Sequence, residues 1–414
     1  MKASPMLTKH TIPRRRLLAA AALLPLGAAC RLAVAAGAPL APDIPRLAFV
    51  LLRGGLCGLQ AVPAIGDPAF AAARGVLGEF TSPPLALQGP FALNPLLPEL
   101  HAMYTRGEAA VLHAVGLAYR ERSHFDAQQV LESGGSRPHE LDTGWLGRAL
   151  QAAATGAQGA PGASRPALRA VALQTAVPLL LRGPATVDTW APSTLAEPAP
   201  DLVARLQALY RNDPELAQAL ARARSLRDEP AMAANPGAMV GGRNTQALTL
   251  ARKAAEFLQG RSQVAVLEMG GWDSHVNQAA PQGALSNNLR TLDAVLAALR
   301  EGLLAQDTWR RTVVVVATEF GREVAVNGSQ GTDHGSGGTA FVLGGAVRGG
   351  RVLADWPGLA PAQRADGRDL RVTTDLRSAL RPLLSQHLGV SRKALDKDVL
   401  PGSAGLPELD LLRG

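Results

Sequence analysis

Cysteine is nearly absent: the 414 residues hold two, Cys30 and Cys57. Cys30 falls in an N-terminal segment that reads as a removable leader. One remaining cysteine cannot form an internal disulfide, which excludes a small stapled scaffold. Long apolar runs are also missing. The one at residues 17–29 is too short for a stable membrane span. No basic run carries interleaved aromatics, so the usual footprint of nucleic-acid binding is lacking. There is no G-x-S-x-G elbow, no P-loop and no G-x-G-x-x-G after a strand. Internal repeats and coiled-coil heptads are likewise lacking.

What is present begins with an address. Arg14, Arg15 and Arg16 precede Leu17 and Leu18, and an apolar run follows to Ala29. That is the charged and apolar sequence of a secretory signal, with paired arginines of the twin-arginine type. Ala33, Val34 and Ala35 offer a small-residue cleavage site. Cys30 after Gly27, Ala28 and Ala29 is a poor lipoprotein acceptor. The expectation is a leader over residues 1–35 and a periplasmic or secreted mature chain. The leader carries six basic residues and no acid, six of the formal +8, leaving the mature chain near +2. The high isoelectric point therefore says little about partners. A mature length of roughly 380 residues suits one large α/β domain over residues 45–414 and needs no staples.

Six short apolar runs read as buried strands: residues 47–52, 110–115, 168–173, 264–269, 313–317 and 340–343. Helical spacing lies between them, at residues 95–105, 123–132, 202–224, 245–258, 285–303 and 376–388. Apolar strands alternating with helices predict an α/β fold, a mostly parallel central sheet covered on both faces. Residues 152–165 and 228–243 lack hydrophobic periodicity and read as surface-loop insertions.

Residues 313–338, VVVVATEFGREVAVNGSQGTDHGSGG, carry the strongest chemical signal. A β-branched run ends at Glu319, and a glycine-rich loop then delivers Asp333 and His334. Earlier, QVAVLEMGGWDSH runs from a strand into Asp273 and His275. Open α/β sheets gather ligands outside the carboxyl ends of their strands, so a metal site leads. Asp273 and His275 share a face in an extended segment and could reach one ion. Taken alone, so short a pattern reads more readily as a helix-capping Asp and a solvent-facing His. Asp333 and His334 are adjacent, so both reach one ion only from a turn, which the flanking glycines allow. Glu319 needs a cation or a donor, either a metal or Arg322. Arg322 could instead steady an anionic substrate oxygen.

Ser123, His124 and Asp126 open a helix, where orphan N–H groups favour anions. Ser123 reads as an N-cap, with a nucleophile as the sharper alternative. Cys57, in the glycine-rich turn after the first strand, is a soft metal ligand, a nucleophile or a small buried hydrophobe.

Five motifs give a resemblance. They are RGG…GL at 53–59, RSHFDAQ at 122–128, GGWDSH at 270–275, TEFGR at 318–322 and NG…GTDHG at 327–335. TTDLR at 373–377 resembles a closing helix. Together they resemble the twin-arginine-exported domain-of-unknown-function family 1501, grouped with alkaline-phosphatase-like and sulfatase-like proteins. The resemblance implies a three-layer α/β/α fold with a metal cluster of one or two ions, zinc or similar. Asp273 and His275 look like one metal's pair, Glu319 like the carboxylate after a central strand, and His334 like a late histidine. One position departs: the family has an Asp in the first glycine-rich loop where this chain has Cys57.

The first expectation is an exported metal-dependent hydrolase of phosphate, sulfate or related esters. Asp273, His275, Glu319, Asp333, His334, His124, Asp126 and Cys57 are its candidate ligands, and Arg322 and Ser123 its candidate catalytic groups. Its partners would be a small anionic ester and the twin-arginine export machinery, with no nucleic acid. The alternative is a non-catalytic periplasmic binding protein on a degenerate hydrolase scaffold, motivated by Cys57. A structural or assembly role is a third reading, from the Ala/Gly loops.

Overall fold

The apolar runs pair as one sheet. The computed structural model describes residues 44–156, 169–192, 199–227, 242–260 and 262–414. Within them the strands are β1 (Arg46–Arg53), β2 (Leu85–Ala86), β3 (Ala92–Leu93), β4 (Ala109–Gly116), β5 (Ala170–Ala172) and β6 (Val187–Thr189). They continue with β7 (Val264–Gly270), β8 (Thr312–Thr318), β9 (Gly338–Leu343), β10 (Arg351–Leu353) and β11 (Thr374–Asp375). The main sheet runs β10-β4-β9-β8-β1-β7-β5-β6, with β11 also on β4; β2 and β3 form a separate ribbon. In the main sheet, among the described residues, β9 alone runs against its neighbours, β4 and β8. The other pairings in the main sheet are parallel.

Register places the strand ends level. Arg53 of β1 pairs with Gly270 of β7, and Leu52 with Thr318 of β8. The chain therefore leaves three central strands at one height, at Gly54, Gly271 and Glu319. Residues 319–337 join β8 to the antiparallel β9, so this whole connection stays at the carboxyl end instead of crossing a face.

The helices are α1 (Gly58–Ala61), α2 (Phe70–Arg74), α3 (Pro98–Thr105), α4 (His124–Ser133), α5 (Trp145–Gly156) and α6 (Pro200–Leu209). They are followed by α7 (Pro214–Arg227), α8 (Arg243–Gln259), α9 (Ala284–Leu304), α10 (Leu376–Pro382) and α11 (Arg392–Ala394). Alternate residues of β1 feed two cores. Ala48, Val50 and Leu52 pack with α3, α8 and α9, while Leu47, Phe49 and Leu51 pack with α4, α5 and α10. That is the period-two division of a strand buried on both faces. The three-layer arrangement with a mostly parallel sheet is present.

Four readings need correction or bounding. The helix expected over 202–224 is two helices, because Pro214 disfavours helical backbone at Asp213, which sits at φ −119°, ψ 99°. Residues 152–156, expected in a loop, complete α5, whose Trp145, Leu146, Ala149, Leu150 and Ala153 form a buried helical stripe. Residues 157–165 lie outside the described residues, as do 228–241, and Arg243 already belongs to α8. The leader, with Arg14–Arg16, Cys30 and the cleavage site, lies outside them too. The described residues all fall in one compact unit. No helix among the described residues is long and apolar enough to cross a membrane.

Candidate metal centre

Three histidines meet above the carboxyl ends of β4, β7 and β8. His124 is the first residue of α4, which Ser123 caps by accepting from the Asp126 amide at 3.5 Å. His275 follows β7, and His334 lies late in the connection from β8 to β9. The His334 loop and the His275 turn are held together along their backbones. Thr332 N donates to Ser274 O at 3.2 Å and Gln278 N to Gln330 O at 2.9 Å. Gly331 permits this approach, since a Cβ there would lie 2.2 Å from the His275 carbonyl carbon. On the other side Gly54, at φ +121°, would put a Cβ 2.6 Å from the Asp273 amide nitrogen. Only glycine fits both the backbone conformation and the space.

Each imidazole has its Nδ1 committed. His124 Nδ1 lies 2.7 Å from Glu319 Oε1, and His275 Nδ1 lies 2.9 Å from Asp333 Oδ1. His334 Nδ1 lies 3.1 Å from the Arg122 carbonyl. A carbonyl or an ionised carboxylate can only accept, so all three Nδ1 atoms donate. The three Nε2 atoms then converge. His124 Nε2 is 3.0 Å from His334 Nε2, and His275 Nε2 is 3.2 Å from it. Asp273 closes the ring: its Oδ1 is 2.8 Å from His275 Nε2 and 3.3 Å from His334 Nε2, and its Oδ2 is 3.6 Å from His124 Nε2. Ligand atoms of His124, Asp273 and His334 fall within 4.8 Å of one another. Lone pairs directed at each other and at a carboxylate repel unless protons or a cation sit between them.

The supporting shell is built from the same motifs. Glu319 is 1% exposed. Its Oε1 also accepts from the Gly54 amide at 2.8 Å and from Gln128 Nε2 at 3.0 Å, and its Oε2 from Thr318 Oγ1 at 2.8 Å. Gln128 belongs to the same helix as His124, four residues on, where helical spacing puts both on one face. Arg322 donates from Nη1 to Asp273 Oδ1, from Nη2 to the Thr332 carbonyl, and from Nε to Thr332 Oγ1 at 3.3 Å. Asn327 Nδ2 reaches both the His275 carbonyl, at 3.0 Å, and Asp333 Oδ1, at 3.2 Å. Phe320 backs the His124 and His334 rings, with centroids at 4.6 and 5.1 Å.

The charge states follow this wiring. The Glu319 hydrogen bond holds His124 above the ordinary imidazole range against the opposing effect of burial. A proton on its Nε2 can then donate to His334 Nε2. Burial, then the His124 and Arg322 charges, lower His334. Burial alone would raise Glu319, but bonds from His124, Gln128, its own amide and Thr318 hold it below the usual carboxylate range. Asp273 is likewise lowered: burial opposes, and Arg322 and the flanking imidazoles prevail. The His275 bond, then the Asn327 bond, lower Asp333.

The candidate residues therefore divide. Asp273, His275, His334 and His124 come together with ligand atoms inward. Glu319 and Asp333 come with them, each turned to the outer nitrogen of a histidine. Arg322 is buried and spent on Asp273 and Thr332, not free for an outside anion. Ser123 caps α4. Asp126 turns away to the Tyr119 hydroxyl, at 3.1 Å. Cys57 is 1% exposed, and its Sγ accepts from Arg74 Nη2 at 3.4 Å. Gln128, Thr332, Asn327 and the Arg122 carbonyl went unnoticed in the sequence. All four stand within the motifs at 122–128 and 327–335, and Gln128 had a further signal in its helical offset from His124.

The family described as "Protein of unknown function (DUF1501)" matches residues 109–398. The chain belongs to this family. No curated protein matches it. Among solved structures it is similar to a 2-O GAG sulfatase, at 12% identity and TM-score 0.42, over 89% of this chain and 73% of that one. A protein in the alkaline phosphatase superfamily from Vibrio parahaemolyticus gives 11% and 0.38, over 85% and 68%. The phosphonate monoester hydrolase of Agrobacterium radiobacter gives 12% and 0.38, over 84% and 74%. At these scores the likeness says nothing of chemistry.

Proposed function

We propose that this family member is an exported metal-dependent hydrolase of phosphate, sulfate or related esters. His124, His275 and His334, through Nε2, and Asp273 would hold one divalent ion of the zinc, manganese or iron type. The observation that carries this is the pair of Nε2–Nε2 approaches, 3.0 and 3.2 Å, between rings whose Nδ1 atoms all donate elsewhere. Imidazole and carboxylate donors suit such ions, and a carboxylate or carbonyl on each outer nitrogen is the usual support of a metal-bound histidine. When bound, the ion supplies Lewis acidity to a phosphoryl or sulfuryl oxygen.

The chain's own groups do the rest. Glu319, Asp333 and the Arg122 carbonyl fix each ring's tautomer and plane. Arg322 keeps Asp273 ionised and aimed. Phe320 shields the inner faces of two rings, while the 43% exposed Asp273 side chain leaves the outer side open to a ligand. The ester class rests on the motif resemblance at residues 270–275, 318–322 and 327–335. Export rests on Arg14–Arg16 and the apolar run after them.

The test is metal analysis of the mature protein, zinc titration, and a screen of aryl phosphate and aryl sulfate esters. One ion per chain, lost in His334→Ala and Asp273→Ala together with ester turnover, is the expected result. A protein that binds no zinc, manganese or iron on reconstitution overturns the metal site. Stoichiometric metal without turnover of either ester overturns the hydrolase.

A further inference from the structure

His334 is supported differently from the other two rings. Side-chain carboxylates hold His124 and His275, but His334 Nδ1 donates to a backbone carbonyl, that of Arg122, at 3.1 Å. A carbonyl points where its backbone points, so this ring is set by the conformation of Arg122. That conformation is left-handed, at φ +60°. Crowding between Cβ and the backbone makes it unfavourable for an arginine. Such an outlier persists only where surrounding contacts over-determine it.

Asp369 supplies those contacts. It lies between β10 and β11, outside every motif named above, and is fully buried. Its Oδ2 accepts from Arg122 Nε at 2.9 Å and from Ser336 Oγ at 2.8 Å. Ser336 stands two residues past His334. One oxygen therefore ties the residue that offers the carbonyl to the loop that carries the ring. Asp369 Oδ1 accepts from Arg368 Nη1 at 2.7 Å, and Arg368 Nη2 reaches Glu323 Oε2 at 2.7 Å. Glu323 N donates in turn to the carbonyl of Asp333, next to His334, at 2.8 Å. The backbone of Asp369 is itself pinned, exchanging bonds of 3.0 and 2.9 Å with Ala365. Asp366, the other carboxylate near Arg122, lies 3.9 Å away on an exposed side chain and adds little.

We propose that Asp369 is the positioning residue of His334. Through Arg122 and Ser336 it keeps Nδ1 the donor nitrogen and Nε2 the one turned to the cluster. It touches no inward-facing atom of the cluster itself. Its effect on metal affinity rests on the proposed metal centre, but its effect on the ring needs no ion. A buried carboxylate that only joined loops would stabilise the fold without selecting a tautomer.

Heteronuclear NMR of the histidine rings in the mature, metal-free protein, at one fixed pH, reports which nitrogen carries the proton. Wild-type His334 should carry it on Nδ1. Asp369→Asn and Arg122→Ala should each move His334 toward the Nε2–H form, while His275, held by Asp333, keeps its tautomer as the internal control. By chelator competition each should weaken zinc about tenfold, the lower end of the cost of losing an outer partner of a metal-bound histidine. Together they should fall well short of the roughly hundredfold product of independent effects, because both act through one carbonyl. Arg122→Lys, which keeps a cation beside Asp369, should recover part of the affinity lost in Arg122→Ala. If Asp369→Asn does not fold, Ser336→Ala carries the test and should move His334 in the same sense. An unchanged His334 tautomer with wild-type zinc affinity in these variants overturns the proposal. So does a full multiplication of the two losses, or an equal disturbance of His275 and His334, which would make Asp369 structural only. If the wild-type protein binds no zinc, the metal centre fails and the ring spectra alone decide the role of Asp369.

Discussion

At the residue scale the site turns on which nitrogen of each histidine faces inward. Glu319 shows the point. Its carboxylate is not spare, since three N–H donors and the Thr318 hydroxyl already claim its two oxygens. Its task is to hold His124. Glu319→Gln should therefore weaken zinc binding roughly 10–100-fold without abolishing it, as measured by competition with a chelator. Unchanged affinity would remove Glu319 from the metal's support. Gly54 is as constrained. Gly54→Ala meets both a left-handed φ and a 2.6 Å approach to the Asp273 amide, so it should destabilise by about 2 kcal/mol or more. Denaturant unfolding measures that cost, and a loss below about 0.5 kcal/mol would mean the Asp273 turn can yield. These roles were only half legible. A carboxylate after a strand and a histidine among glycines can be read from the chain. Which of the two would touch an ion depends on a separation of a few ångströms between segments far apart in sequence.

At the element scale, helices begin where side chains tell them to. Ser123 starts α4 from within the motif, and that start was visible in the sequence. The start of α3 was not, because its cap is distant. Asp293 of α9 accepts from the Glu99 and Leu100 amides, at 3.1 and 2.9 Å. Asp293→Ala leaves the buried Leu100 amide and the part-buried Glu99 amide without this acceptor and should cost about 1–2 kcal/mol in urea unfolding. A neutral result would mean water replaces the cap. The direction of β9 was equally hidden. Its apolar run reads as a strand of either sense. Only the short return over residues 319–337, which keeps the glycine-rich loop at the carboxyl end, makes it antiparallel. The break before α7 was legible in Pro214 and was missed because the Ala-rich spacing continued across it.

At the scale of the whole molecule, two buried groups tilt stability with pH in opposite senses. His113 on β4 is buried against Phe91 and Trp356, and its Nε2 donates to the Val62 carbonyl at 2.9 Å. Burial pushes it down to about 4 from 6.5. The unfolded chain binds that proton more readily. The contribution of His113 is thus full above about pH 6.5 and is lost as pH falls toward about 4. Burial pushes Asp293 up to about 6 from 3.8, despite its two backbone donors. Here the folded chain binds the proton more readily, so stability falls as pH rises from about 4 to about 6. Over that shared window the two slopes oppose. Relative to wild type, His113→Gln should make stability fall more with rising pH, and Asp293→Asn should make it rise more. Thermal unfolding from pH 4 to 6.5 checks the signs, and parallel profiles for all three proteins would contradict them. A bound metal would act on the whole molecule as well. The cluster ties together the segments after β4, β7 and β8, so zinc at 100 times its dissociation constant should add about 2.7 kcal/mol. A midpoint that does not rise on adding zinc would show that no ion binds the folded state in preference.

The sequence by itself determined the layered α/β fold and the chemical inventory. Apolar period and turn residues are local properties, and the histidines and carboxylates stand in motifs that can be read directly. It also placed Glu319 directly after a β-branched run and Asp273 and His275 shortly after an apolar one. The tertiary structure decided the division of labour. It set Nε2 against Nε2, gave Glu319 and Asp333 to the outer nitrogens, spent Arg322 on Asp273 and turned Cys57 toward Arg74. Those outcomes depend on strand order, the common register of β1, β7 and β8, and the reversal of β9. Each is a long-range pairing that no local pattern encodes.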